Sequence, residues 1–121
     1  MKSRSYRDLL VWRKGVELVK KMYALTHKLP KQETFVLSDQ IRRATISVPS
    51  NIAEGQARKN VGEFEYFLYV AMGSLAELDT QLLLTKELNY INAQTLKDFE
   101  SDIHELQKMI FALISSLKTR N

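Results

Sequence analysis

The sequence contains no cysteine, only two prolines and only four glycines in 121 residues. The lack of cysteine excludes disulfides, thiolate metal ligands and cysteine nucleophiles, and it fits a reducing compartment. The N-terminal stretch MKSRSYRDLLVWRKG has no apolar core, so we expect no secretory signal. The longest uncharged run, residues 66–76, is shorter than the ~20 residues that cross a bilayer. We therefore expect a cytoplasmic protein without a membrane partner, folded as one domain over residues 1–121.

Motifs for catalysis and for cofactor binding are also missing. The four glycines are scattered and form no phosphate-binding loop. The two histidines, His27 and His104, fit a helix end and a polar helix face better than a catalytic role. No Glu-x-x-His pair of a bundle di-metal site occurs, and Glu100 with His104 is more typical of a surface ion pair. We expect no catalytic residue, metal, cofactor or small-molecule substrate.

Apolar residues recur at spacings of three and four along four stretches, which is typical of amphipathic helices. The predicted helices span about residues 8–28, 32–58, 61–89 and 93–118. Asn60 and Asn92 are predicted N-caps of the third and fourth helices. No strand is predicted, so the fold class is all-α, an antiparallel up-down-up-down four-helix bundle.

The first helix carries two apolar rows side by side. One face consists of Leu9, Trp12, Val16, Val19 and Tyr23. The second row consists of Leu18, Met22 and Leu25. The first and third helices have more apolar surface than one bundle core needs, which predicts self-association.

The stretch SVPSNIAEG, residues 47–55, contains helix breakers and could be a loop around a ligand or a helix that passes through proline. The row Leu37, Ile41, Ala44, Val48 and Ile52 stays in phase across Pro49. We therefore predict that the second helix continues with a kink at Pro49, and that Gly55 allows close approach of another helix.

Polar residues follow a row of their own around this stretch. A structural polar network is predicted from Ser47, Asn51 and Glu54 of the second helix with Ser74 and Glu77 of the third. The two glutamates are predicted to pair with Arg42, Arg43 or Arg58 across helices. We favour this network over acid–base catalysis, which would need a cleft and a substrate.

Charge is distributed unevenly along the chain. Residues 1–59 contain 13 Lys and Arg against 5 Asp and Glu, a net +8, whereas residues 60–121 contain 5 against 9, a net −4. Solvated surface, binding of nucleic acid, and contact between basic and acidic faces of two copies all fit this pattern. The candidate nucleic-acid-binding residues are Arg13, Lys14, Arg42, Arg43, Arg58 and Lys59. Trp12 could stack on a base but is more typical of a core position.

Four motifs together resemble one family. They are Asp8-Leu9-x-Val11-Trp12-x-Lys14, Gln40-x-Arg42-Arg43-Ala44, Ser47-x-Pro49-x-Asn51-Ile52-Ala53-Glu54-Gly55 and Gly73-Ser74-x-x-Glu77-Leu78. Their combination resembles the 23S rRNA-intervening-sequence proteins over nearly the whole chain, with Gly15 in place of the usual alanine and Asp79 in place of the usual glutamate.

This resemblance implies a small cytosolic bacterial bundle without enzyme activity or cofactor. It also implies assembly into homopentamers, and it extends to a bundle that assists the reverse transcriptase of diversity-generating retroelements and binds nucleic acid. A nucleic-acid-associated accessory protein, binding RNA or DNA, is therefore the leading hypothesis. A structural or protein-partner module is the alternative.

Overall fold

A computed structural model describes residues 5–119; residues 1–4 and 120–121 of the predicted domain lie outside the described part. Two 3-10 turns, Tyr6–Asp8 and Lys31–Glu33, precede the first two helices. The helices are α1 (Leu10–Thr26), α2 (Leu37–Ala57), α3 (Val61–Glu87) and α4 (Ala93–Lys118). The described residues contain no strand, and the predicted all-α four-helix bundle is confirmed. Packing is most extensive between α2 and α3 and thinnest between α1 and α4.

The first two helices begin later than the periodicity predicted. α1 starts at Leu10 instead of about residue 8, because Tyr6–Asp8 forms a 3-10 turn capped by the Ser5 hydroxyl. α2 starts at Leu37 instead of about residue 32. The turn at Lys31–Glu33 cannot continue into α2 because Val36 has non-helical angles, φ −120° and ψ −93°.

The starts of α3 and α4 agree with the predicted caps. The Oδ1 atom of Asn60 accepts a hydrogen bond from the backbone N–H of Glu63 at 3.0 Å. The Oδ1 atom of Asn92 accepts one from the N–H of Thr95 at 2.8 Å. Each cap satisfies a donor that the first helical turn leaves without a partner.

The core takes one row of side chains from each helix. In α1 the buried row is Val11, Gly15, Leu18, Met22 and Leu25. The other predicted row of α1 flanks the core, and its last member, Tyr23, is 37% exposed. In α2 the predicted apolar row is buried throughout.

Residues 47–55 lie inside α2, so the open-loop alternative is excluded. Pro49 is buried against α1, where a Cβ added to Gly15 would lie 3.4 Å from Pro49 Cβ. The side chain of Asn51 donates a hydrogen bond to the Ser47 carbonyl at 2.8 Å and braces the turn around the proline. The kink at Pro49 stays a prediction.

Gly55 sets the distance between α2 and α3. A Cβ at this position would lie 2.7 Å from Phe67 Cβ and 3.3 Å from Phe64 Cα. Contacts of that length do not occur between real side chains, so only glycine allows the present separation. The predicted close approach at Gly55 is confirmed.

Gly15→Ala is expected to stabilise the protein by about 1 kcal/mol, because alanine favours helix over glycine by about that amount. The added methyl group would make an ordinary 3.4 Å contact with Pro49. Urea denaturation at fixed protein concentration measures the change.

The matched control is Gly55→Ala, which should lower the free energy of unfolding by about 1–3 kcal/mol because α2 and α3 must separate. A change of the same sign in both variants would contradict the conclusion that the space around each glycine determines how an added methyl group affects stability.

Candidate interaction surfaces

A hydrogen-bonded cluster joins α2 to α3 and contains three of the five residues predicted for the polar network. The hydroxyl oxygens of Ser47 and Ser74 lie 2.8 Å apart. The Asn51 amide donates to the Ser47 hydroxyl, also at 2.8 Å. Ser74 is only 4% exposed, so its pairing with Ser47 satisfies a hydroxyl that water scarcely reaches. We call Ser47, Asn51 and Ser74 the serine–asparagine cluster.

The two glutamates predicted for the network lie apart from this cluster. Glu54 pairs with Arg58 at 2.8 Å within α2, and Arg58 also reaches Glu63 of α3 at 3.4 Å. The hydrogen bond that Arg58 donates to the Glu54 carboxylate raises the pKa of the Arg58 guanidinium above its ordinary value, so the group stays charged. Glu77 is exposed and forms no hydrogen bond or ion pair with the described residues, so its place in a network stays a prediction.

Most of the six candidate nucleic-acid-binding residues have partners within the chain. Arg13 donates to the Arg7 carbonyl at 2.9 Å, and Lys14 pairs with Glu105 at 3.0 Å. Arg43 pairs with Asp39 at 2.9 Å. The ion pairs of Lys14 and Arg43 reduce the positive charge that the α1 and α2 surfaces offer to a phosphate backbone, whereas Arg13 contacts a neutral carbonyl and keeps its full charge.

Arg42 and Lys59 have no carboxylate partner among the described residues. Arg42 donates to the Thr26 hydroxyl at 3.1 Å and lies 5.5 Å from the centre of the Tyr23 ring. Lys59 follows α2 with a φ of 55°. The two cations stand near opposite ends of α2, about 25 Å apart at 1.5 Å per residue, so the structure does not gather the candidates into one patch.

The solvent-facing side of α3 carries apolar or small residues along its length, interrupted by exposed Glu77 and Thr80. We call this surface the α3 strip; it consists of Tyr66, Tyr69, Gly73, Ala76, Leu83 and Leu84. Tyr66 is 63% exposed and Leu84 is 49% exposed. A Cβ added to Gly73 would meet no atom within 4 Å. Self-association remains a prediction, but the structure locates the surplus apolar surface of α3 that motivates it.

By length and composition, α3 is the one helix among the described residues that is apolar enough to cross a membrane. Within the bundle, 33% of its most apolar stretch is buried. Leu68, Leu75, Leu78 and Leu82 are fully buried in the bundle core. The apolar character of α3 therefore combines a core face with an exposed face.

A second apolar surface lies between α1 and α2, and the sequence pattern showed only its α1 side. This α1–α2 groove has a volume of about 350 Å³ and contains no charged side chain. It is lined by Tyr6, Trp12, Val16, Val19, Ile46, Pro49, Ser50 and Ala53. The rings of Tyr6 and Trp12 lie 5.3 Å apart at one end of it. Trp12 thus lines a surface groove while packing partly against the core.

The larger groove, between α1 and α4, has a volume of about 570 Å³ and is strongly charged. Two ion pairs join its walls, Lys14 with Glu105 at 3.0 Å and Lys21 with Asp102 at 2.8 Å. Within residues 5–119, no three His, Asp or Glu side chains come together as metal ligands. His27 follows the last residue of α1, and His104 lies on the exposed face of α4. Both side chains are exposed.

Comparison with known proteins finds a matching family and solved structures of similar fold. A family model described as 23S rRNA-intervening sequence protein matches residues 7–112. The bundle is also similar to the 1.70 Å crystal structure of a protein with unknown function from the S23 ribosomal protein family of Bacteroides thetaiotaomicron. The TM-score is 0.80 at 26% identity, over 87% of this chain and 98% of that chain. No curated protein matches the sequence.

Removal of the serine–asparagine cluster should destabilise the bundle in a coupled way. Asn51→Ala and Ser74→Ala should each lower the free energy of unfolding by about 1 kcal/mol, because each removes a hydrogen bond to the Ser47 hydroxyl. Both side chains bond to Ser47, so the double variant should differ from the sum of the singles by at least about 0.5 kcal/mol. Urea denaturation of the four proteins measures this cycle. Strict additivity would show that the three side chains act independently.

Proposed function

Because the chain belongs to the 23S rRNA-intervening sequence protein family, we propose that it is a non-enzymatic, self-associating helical module of the cytoplasm. The α3 strip supports this proposal. An exposed apolar surface of this extent on a small protein usually marks a contact with another molecule.

Gly73 is the observation on which the proposal rests. Glycine inside a helix costs about 1 kcal/mol relative to alanine. At Gly55 that cost has an internal reason, since Phe64 and Phe67 leave no room for a Cβ. At Gly73 a Cβ would meet nothing within the described chain. A second helix packed against Tyr69, Gly73 and Ala76 gives the missing reason, because small residues let two helices approach closely.

The distribution of charge supports a second copy of the chain as the partner. Glu65 and Glu77 on α3 have no ion-pair partner among the described residues. Arg42 on α2 and Lys59 just after it likewise lack a carboxylate partner. Contact between the α3 side of one copy and the α1–α2 side of another brings opposite charges together.

Such a contact joins two different surfaces, so it is heterologous and closes into a ring when the rotation allows. We propose a pentamer, as the family resemblance implies. Five chains of 14.0 kDa give a particle of about 70 kDa.

Gly73→Leu tests this assembly without removing any contact within the protomer. We expect the helix content by circular dichroism to be unchanged, because the new side chain points into open space. We expect the mass measured by light scattering after size-exclusion chromatography to fall to that of smaller species.

Ser101→Leu is the matched control, since it places the same side chain on the exposed polar face of α4. The assembly mass should be retained in this variant. A wild-type protein that is monomeric at every concentration tested would refute the proposal.

Association with nucleic acid is the second candidate function, and the cations without carboxylate partners, Arg13, Arg42 and Lys59, favour it. A ring repeats these cations once per copy, and the repeated phosphate contacts add their contributions to the affinity. The proposed relation to the retroelement accessory protein agrees with this role.

Charge reversal at Arg42 and Arg43 separates the two candidates. If the α1–α2 surface binds RNA, Arg42→Glu/Arg43→Glu should abolish binding at low salt while the assembly mass stays constant. If those residues serve only contacts between copies, the assembly mass should fall instead. Fluorescence anisotropy with a structured RNA at several salt concentrations measures the first effect. For a binding protein, the affinity of the wild type should fall steeply as salt increases.

Lys97→Glu/Lys108→Glu on the polar face of α4 is the control for added negative charge. The absorbance ratio at 260 and 280 nm during purification shows whether nucleic acid accompanies the protein. Absence of RNA binding by the wild type at low salt would exclude the second candidate.

A further inference from the structure

The segment that leads into α2 presents two large apolar side chains to solvent. Phe35 is 90% exposed, more than any other large apolar residue described, and Val36 is 62% exposed. Burial of a phenylalanine side chain is worth roughly 1.5–3 kcal/mol. With 90% of its surface exposed, Phe35 contributes almost none of this stabilisation to the isolated protomer.

The segment is braced on the bundle and does not hang free. Just before Phe35, Lys31–Glu33 forms a 3-10 turn after Pro30. The Tyr90 hydroxyl donates a hydrogen bond to Glu33 Oε2 at 2.8 Å and ties this turn to the connection between α3 and α4. The phenyl ring is therefore held out from a fixed point of the fold.

The surroundings of Phe35 favour a protein surface over a nucleotide base as its partner. Leu84 and Leu88, at the end of α3 to which Tyr90 ties the turn, are 49% and 53% exposed. Leu84 is also the last residue of the α3 strip, so the Phe35 end of the bundle continues the surface already proposed for assembly. Lys31 in the adjoining 3-10 turn is a cation four residues before Phe35, so base stacking is kept as an outcome of the test.

The α1–α2 groove offers the complementary shape. Its lining contains no charged residue, whereas the α1–α4 groove is lined by six charged side chains. The volume of about 350 Å³ is ample for a phenyl ring. Its α2 residues, Ile46 to Ala53, lie roughly 14–24 Å along the helix from Leu37 at 1.5 Å per residue. The Phe35 of the same chain, just before Leu37, is therefore too far away to fill it.

We infer that Phe35 of one copy inserts into the α1–α2 groove of a second copy and anchors the contact between them. This inference rests on the proposed self-association and specifies its geometry. The inserted ring and the receiving groove belong to different parts of the protomer. Each copy therefore inserts its Phe35 into one neighbour and receives the Phe35 of another neighbour in its own groove. Trp12 lines the receiving groove and comes into contact with the incoming ring.

The cysteine-free sequence allows a direct test by cross-linking. In the double variant Thr34→Cys/Ala53→Cys, which keeps Phe35 and places a cysteine at the exposed residue beside it, a short bismaleimide should join successive copies into a ladder of covalent oligomers on a denaturing gel. Each single-cysteine variant can form covalent dimers at most. The control Thr34→Cys/Ser101→Cys, with its second cysteine on the polar face of α4, should give no ladder.

The single tryptophan supplies a second, independent measurement. Phe35→Ala should fold normally, since the side chain is 90% exposed, but should need at least tenfold more protein to assemble. Dilution of the wild-type assembly should shift the Trp12 emission to the red. Phe35→Trp should retain the assembly mass.

Three results would overturn the inference. An assembly of unchanged mass in Phe35→Ala, with no ladder in the double variant, would refute the Phe35 contact and leave self-association intact. An assembled Phe35→Ala that has lost binding to a single-stranded oligonucleotide would assign the ring to base stacking. A wild-type protein that never assembles would refute both this inference and the proposed function.

Discussion

The contact of Gly55 with Phe64 and Phe67 is the constraint on which the arrangement of the bundle depends. It permits the closest approach of α2 to α3, and no larger residue fits there. The Ser47–Ser74 hydrogen bond joins the same two helices about 12 Å from Gly55 toward the N-terminus of α2, at 1.5 Å per residue. A steric contact at one point and a polar contact at the other determine both the separation and the register of this pair. The outward direction of the α3 strip follows from that register.

The same pair explains why one helix resembles a membrane span in a bundle that also carries ion pairs. One side of α3 must fill the core between its neighbours, and the proposed assembly requires the other side to be apolar as well. Composition alone does not distinguish such a helix from a membrane-spanning one, because both contain a long stretch of apolar residues with few charges. The open position of Gly73 is the feature that the proposed packing of a second copy would explain.

Much of the fold was predictable because helical periodicity reports burial directly. The asparagine caps, the α2 core row and the passage of α2 through Pro49 all follow from spacing. Spacing could not show which of two adjacent apolar rows in α1 faces inward; the contact between Gly15 and Pro49 decides that. Spacing also could not show that Glu54 lies outside the serine–asparagine cluster. Its carboxylate pairs with Arg58, one helical turn further along the chain. Phe35 was missed because an apolar residue beside a helical pattern resembles core until its exposure is known.

The thin packing of α1 against α4 has a consequence for how the chain folds. Apart from the bundle core, that seam is joined by ion pairs exposed to solvent, which contribute little to stability. The helical hairpin of α2 and α3 is local in sequence and has the most extensive packing, so we expect it to form first and the outer helices to dock onto it. In this order of folding, the proposed assembly through α3 starts from a hairpin whose inner and outer faces are already distinct.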